Sequence, residues 1–302
     1  MTKISAWIQA ARLRTLPLSL SGILTGTALA LGAGYSDGWL LLLMLATTVG
    51  YHVTSNFAKD YGDGVKGTDN EFRIGPQRAM QSGALSALDL RRGIWLSSIA
   101  SAELTLGTLL YAFGTGSLGY LLLFLLLGGT AIWASIKYTV GSDAYGYKGL
   151  GDIFVFLFFG LLSVLGSYFL FAHSLALECF LPAITIGALS TGVLNLNNLR
   201  DLESDNRSGK RTLVVQMGYA NGVRYQIALC LLAFLALLFF VVIQEQPLHF
   251  VPCLIPFVFI GMHLRKVTRI TDPASLDPEL KKLALSTFGI GLLLLAVNYY
   301  FS

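Results

Sequence analysis

The sequence predicts an all-α membrane protein of about nine transmembrane helices around a central cavity, and three observations predict it. Of its 302 residues 54% are hydrophobic and only 13% charged, with a mean hydropathy of +0.65, whereas soluble domains carry about a quarter charged residues. Apolar runs of about 20 residues, the length a spanning helix needs, recur along the whole chain. The basic residues, finally, cluster in alternate gaps between those runs.

The runs fall at 16–35, 38–58, 93–113, 117–138, 152–172, 176–199, 222–243, 248–264 and 281–301, with Gly, Ser, Asp and Pro marking the gaps. Residues 4–14 read as a short amphipathic helix lying along the interface, anchored by Trp7. The first run is long enough to span and more runs follow, so it is expected to be an uncleaved helix rather than a signal peptide. With the N-terminus inside, the internal segments are 1–15, 59–92, 138–151, 200–221 and 265–280. All 21 Lys and Arg lie in them or, for Lys137, Arg224, Lys281 and Lys282, within a turn of them. That is the positive-inside pattern, and it puts the N-terminus and the long polar loops in the cytoplasm. The chain is read as one polytopic membrane domain, 1–302, with a motif in each half, 1–150 and 151–302. Cys179, Cys230 and Cys253 stand singly in apolar runs and are expected to be core residues.

Two polar stretches interrupt this pattern. Asn56-Phe57-Ala58-Lys59-Asp60-Tyr61-Gly62-Asp63, followed by Asp69, closes the second run, and Asn197-Asn198-Leu199-Arg200-Asp201-Leu202-Glu203-Ser204-Asp205 closes the sixth. Asn and Asp recur at a spacing of four, which puts them on one helical face. Four spans separate the stretches, so both emerge on the same side and can share a site.

Gathered together, Asp60, Asp63, Asp69, Asp201 and Asp205 would repel one another, and a cation removes that repulsion. All-oxygen ligands without His or Cys suit Mg2+ rather than zinc. Lys59, Lys66, Arg73 and Arg78 follow the first stretch, Arg200, Lys210 and Arg211 flank the second, and Lys148 lies between. Carboxylate-held metal with interleaved bases is the equipment for a diphosphate. The plainer alternative is a set of solvated loop carboxylates, and for Arg91, Arg92, Lys266 and Arg269 plain topology signalling is the preferred reading. A third stretch runs from Tyr138 through Tyr145, Tyr147, Lys148 and Gly151 to Asp152, which either caps a helix or joins the site. His52 reads as a satisfied core histidine or a group polarising an aromatic acceptor. Glu103, in mid-span, is expected to make a buried hydrogen bond or to face a neighbouring helix as a protonated acid. A cation-coupled transporter is the rival class, but transporters place such residues near the bilayer midplane.

The chain resembles the UbiA superfamily of membrane prenyltransferases. The resemblance rests on Arg12-Leu13-Arg14-Thr15-Leu16-Pro17-Leu18, Asn56 to Asp69, Arg73-Ile74-Gly75-Pro76, Tyr147-Lys148-Gly149-Leu150-Gly151-Asp152, Asn195 to Asp205 and Gly209-Lys210-Arg211-Thr212-Leu213. The Gly-Leu-Gly-Asp and Asn-Asn-Leu-Arg-Asp runs are similar to the naphthoate-prenylating branch of bacterial menaquinone synthesis. The resemblance implies a bacterial inner-membrane enzyme with its site on the cytoplasmic side. It implies Mg2+-dependent transfer from a polyprenyl diphosphate to 1,4-dihydroxy-2-naphthoate, with loss of diphosphate and CO2, giving demethylmenaquinone; no nucleic acid is involved. Asp60, Asp63 or Asp69, Asp201 and Asp205 would hold the metal, and Asn56, Lys66, Arg73, Arg78, Asn198 and Lys210 the diphosphate. Asp60, Asp201, Tyr138 and Lys148 would carry the catalysis, and His52, Tyr147 and Asp152 would attend the acceptor or the carbocation. Many members have three closely spaced aspartates in the first motif; here Gly67 falls near the third place and Asp69 two residues later, so Asp63 and Asp69 compete. A superfamily member using another aromatic acceptor, such as 4-hydroxybenzoate, is the nearest alternative.

Overall fold

A computed structural model describes residues 2–69, 74–75 and 77–301. Among them nine helices are long and apolar enough to cross a membrane, and there is no strand. A short helix α1 (Lys3–Ala11) leads into the first span, α2 (Leu16–Gly32). Then follow α3 (Gly38–Val65), α4 (Ala87–Phe113), α5 (Leu118–Lys137), α6 (Gly151–Ala172) and α7 (Leu177–Arg200). Two short helices, α8 (Leu202–Arg207) and α9 (Leu213–Met217), precede the last three spans, α10 (Tyr219–Ile243), α11 (Pro247–Val267) and α12 (Pro273–Phe301). The main packed pairs are α2 with α12, α3 with α4, and α7 with α10.

Three helix ends extend beyond their apolar runs. Helix α3 continues to Val65, so its 28 residues reach about 42 Å at 1.5 Å per residue, well beyond a hydrocarbon core of about 30 Å. The first acidic stretch is therefore helical through Asp63 instead of unwinding into a loop. Helix α4 starts at Ala87 because Ser86 and Asp89 form a reciprocal capping box, and α12 begins with a turn at Pro273. Polar first and last turns carry no hydropathy signal, which is why the apolar runs understate these helices.

The N-terminal helix packs on the protein by one face and leaves Ile4 and Ile8 exposed on the other. Ala6, Ala10 and Ala11 are buried, and the Trp7 ring meets Phe57 edge-on at 5.0 Å. The slot exists because residue 93 is glycine; a Cβ there would lie 2.6 Å from the indole. Trp7, half-buried, is thus a packing residue as well. Glu103 also departs from expectation. It is exposed on the outer face of α4, between exposed Ile99 and Leu106, about 200° around the helix from buried Ser101.

Residues of α2 to α6, with Leu194 of α7, wall a cavity of about 400 Å³. Phe154, Phe158, Leu162, Gly166 and Leu170 all face it, although steps of four rotate a regular helix by about 40° each. The π-helical turn at Phe156–Leu162 widens the winding and keeps this row pointing inward. Nothing in the apolar pattern of the sequence announces that turn.

Candidate active site

The cavity-facing row of α3 comprises Met44, Thr47, Thr48, Tyr51, His52, Ser55, Asn56 and Lys59, a 3.6-residue repeat. One turn further along the same face, Asp63 enters a second, small cleft lined also by Lys59, Thr68, Asp69, Arg78, Asn197, Asp201, Ser204, Asp205 and Lys210. The ends of α3 and α7, with the segments that follow them, thus meet in one place, as the helix parity allows. Lys59 lines both spaces and marks their junction.

Several side chains in and beside the cleft have definite partners. The Tyr147 hydroxyl donates to Asp63 Oδ1 at 2.8 Å and lies 2.6 Å from Thr68 Oγ1. Lys66 Nζ stands 3.9 Å from the Tyr147 ring centroid and Lys210 Nζ 5.7 Å from it, within cation–π range. Arg78 Nε lies 3.6 Å from Asp69 Oδ1, both residues being buried. Asp201 accepts two bonds from Arg200, at 2.9 and 2.8 Å. Lys210 Nζ donates to Asp205 Oδ1 at 3.1 Å.

Charge in this cleft is tightly balanced. Burial alone would lower the pKa of Lys210, but Asp205 and Asp63 outweigh it and hold the ammonium charged. Lys66 moves the other way, lowered chiefly by burial, with Asp63 opposing. Burial and the neighbouring Asp63 keep the Tyr147 phenol protonated, which suits its role as donor.

Asp60 sits on the shoulder of the α3 face. Its Oδ2 accepts from the Ala79 amide at 3.3 Å, and Arg12 and Asp63 are its charged neighbours. Asp60 Oδ1 and Asp205 Oδ2 are buried without a hydrogen-bond partner among the described residues, a costly condition for an oxygen that meets no ligand. The donors are all oxygen, so the set fits a hard divalent cation. No group of three or more carboxylates among the described residues converges closely enough to cage an ion alone. A cation there would draw its remaining ligands from water or from a bound phosphate.

Other expected site residues are placed elsewhere. Lys148 is exposed and pairs with Asp143 at 2.8 Å, lining neither space. Asp152 is buried behind the cavity wall near Tyr225. Asn198 turns away while Asn197 faces the cleft. Tyr138 lines the cavity, with Lys59 Nζ 5.5 Å from its ring centroid. His52 Nδ1 is 2.8 Å from Ser19 Oγ, and its Nε2 meets the Arg12 carbonyl and Asn56 Nδ2. Both ring nitrogens are therefore engaged, although the ring and Asn56 line the cavity. Arg73 lies outside the described residues.

Sequence reasoning counted Lys59 only among the interleaved bases and gave no particular role to Asn197, Thr68, Ser204 or Arg12. Stepping by four back from Asp205 through Asp201 reaches Asn197 and not Asn198, so that signal was available. Arg12 lines the apolar cavity and carries a left-handed backbone (φ 51) where α1 turns into α2.

The Tyr138 turn is seated on Gly62. Thr139 Oγ1 donates to the Ala58 carbonyl at 2.9 Å, and a Cβ at position 62 would lie 2.7 Å from the Thr139 backbone. Gly62→Ala is expected to cost about 1–3 kcal/mol, the usual penalty of overpacking, and to displace Tyr138. Thermal unfolding in detergent checks the first effect, and turnover at saturating substrates the second.

Fold and site together define a class: a multi-pass membrane protein with a charged cleft at the end of an apolar chamber. The chain belongs to the UbiA prenyltransferase family, whose model matches residues 19–283. It is 40% identical over 282 residues to an Escherichia coli 1,4-dihydroxy-2-naphthoate octaprenyltransferase, covering 93% of this chain and 91% of that one. A protein of the same name from Haemophilus influenzae is 47% identical over 240 residues, 77% of each chain. Among solved structures, a UbiA homologue from Archaeoglobus fulgidus bound to DMAPP and Mg2+ superposes with a TM-score of 0.61 at 15% identity, covering 94% of this chain and 98% of that one. One from Aeropyrum pernix gives 0.65 at 17%, covering 93% and 98%. At those identities the structures bear on the fold alone.

Proposed function

We propose that this protein transfers a polyprenyl group from polyprenyl diphosphate to 1,4-dihydroxy-2-naphthoate. The observation that carries the reading is the junction at Lys59, where a cleft of carboxylates and bases opens beside an apolar chamber. The charges of the one complement a diphosphate head and the apolar lining of the other a prenyl tail. The relatives of this chain at 40–47% identity carry the name of that reaction.

Asp60, Asp63, Asp69, Asp201 and Asp205 would hold Mg2+, which neutralises charge on the departing diphosphate when bound. Arg78 and Lys210 in the cleft, and Lys66 at its edge beside Tyr147, would meet the head group with their cationic ends, and Arg73 belongs to the same proposal. The bond between the prenyl carbon and the diphosphate oxygen breaks, and the pair of electrons leaves with diphosphate. Tyr138, at the junction, presents its ring to the allylic cation. The electron-rich naphthoate ring forms the new carbon–carbon bond, and its carboxylate leaves as CO2, giving the reduced form of demethylmenaquinone. Phe154, Phe158, Phe159 and Leu162 in the chamber wall exclude water, which would otherwise trap the cation as a prenol. Residues 1–302 act as one unit here, since each half supplies one motif. The basic loops put the cleft on the cytoplasmic side of a bacterial membrane.

Purified protein supplied with Mg2+ and a polyprenyl diphosphate is expected to consume 1,4-dihydroxy-2-naphthoate and release CO2 in equal amounts. Faster turnover of 4-hydroxybenzoate under the same conditions would overturn the choice of acceptor while leaving prenyl transfer intact.

A further inference from the structure

Behind the cleft, and lining neither space, lies Arg200. It is 4% exposed and spends its guanidinium on three residues. Nε and Nη2 bond the two carboxylate oxygens of Asp201, Nη2 also reaches Asn197 Oδ1 at 2.7 Å, and Nη1 reaches Asp277 Oδ1 at 2.5 Å. Asp201 and Asn197 are cleft residues; Asp277 is not, and belongs to the first turns of α12, 77 residues further along the chain. One buried side chain therefore ties two cleft groups of the second motif to the last span.

We propose that Arg200, anchored by Asp277, is the positioning residue of the second motif and sets its affinity for the divalent cation. The argument rests on the reading that the cleft holds such a cation. The planar fork takes one lone pair from each Asp201 oxygen and fixes the plane of the carboxylate. The same fork holds Asn197 Oδ1 beside it. Without Asp277 the guanidinium loses its only link to α12 among the described residues, and both cleft groups gain freedom that ligand binding must remove. Partners of this kind, behind the ligands themselves, commonly change metal affinity 10–100-fold. Lysine keeps the charge of Arg200 but not the fork.

The test is Mn2+ binding to the full-length detergent-solubilised protein, read by electron paramagnetic resonance with geranyl S-thiolodiphosphate present. Arg200→Lys and Asp277→Asn are each expected to weaken Mn2+ binding about tenfold, with Asp277→Glu restoring most of it. In turnover the Mg2+ half-saturation concentration is expected to rise by the same factor, with the KM for the aromatic acceptor unmoved. Thermal unfolding separates this from a merely structural role, which would lower the unfolding temperature without moving cation affinity; that result overturns the proposal. Should Arg200→Lys fail to fold, Asp277→Asn decides alone. If the wild type binds Mn2+ and both variants bind it equally well, the positioning role is wrong and the cation site stands. If the wild type binds no Mn2+, the cation reading falls and this proposal with it.

Discussion

Asp60→Ala and Asp201→Ala are each expected to lower prenyl transfer by about a thousandfold, the upper end of what removing one preorganised electrostatic group costs. The two residues belong to different motifs, 141 positions apart in the chain, so equal losses report a shared site. Asp201 lines the cleft directly, on the helix end that faces Asp63 and Asp69. Asp60 lies on the shoulder of α3 with Oδ1 buried and without a hydrogen-bond partner among the described residues. Neither change opens an apolar cavity, and both variants are expected to insert; Asp60→Ala should unfold near the wild-type temperature, whereas Asp201→Ala also takes two bonds from buried Arg200 and should unfold at a lower one. Turnover in lipid nanodiscs, with thermal unfolding measured alongside, checks this; wild-type-like turnover in either variant is incompatible with paired motifs.

Lys210→Ala is expected to act on stability and activity together. Lys210 and Asp205 are both buried, and their ion pair of 3.1 Å is the local compensation for two desolvated charges. Removing one member of such a pair strands the other, at a cost of about 3–5 kcal/mol. The same substitution removes a cation from the cleft and from the neighbourhood of the Tyr147 ring. Lys210→Met, which keeps the volume, leaves Asp205 equally unpaired and should be almost as harmful. A double variant, Lys210→Met with Asp205→Leu, should regain stability but not turnover. Recovery of turnover in the double variant would mean that the pair serves folding alone.

Much of this arrangement was legible in the chain because its physics is one-dimensional. Hydropathy and the side-by-side count of Lys and Arg report span number, and helix parity then brings Asn56–Asp69 and Asn197–Asp205 to one side. What lay beyond reach depends on rotation and packing. Lys148 is adjacent in sequence to Tyr147, yet the turn sends Tyr147 to Asp63 and Lys148 to Asp143 at the surface. Glu103 and Ser101 differ by two positions, and that alone decides which faces outward. Trp7 looked like a lipid anchor because nothing local tells that Gly93, 86 residues away, leaves a slot for it. The π turn of α6 is equally silent, since Phe, Leu and Gly fit a regular helix as well.

The central claim is that the two helix ends hold one diphosphate between them, with its tail in the chamber beyond Lys59. The most direct measurement is an experimental structure of the protein with Mg2+ and a polyprenyl S-thiolodiphosphate. The account predicts density for the diphosphate between Asp63 and Asp69 on one side and Asp201 and Asp205 on the other, with the chain running past Tyr138 toward Met44 and Leu170. A head group bound outside that cleft, or contacted by only one of the two motifs, would contradict it.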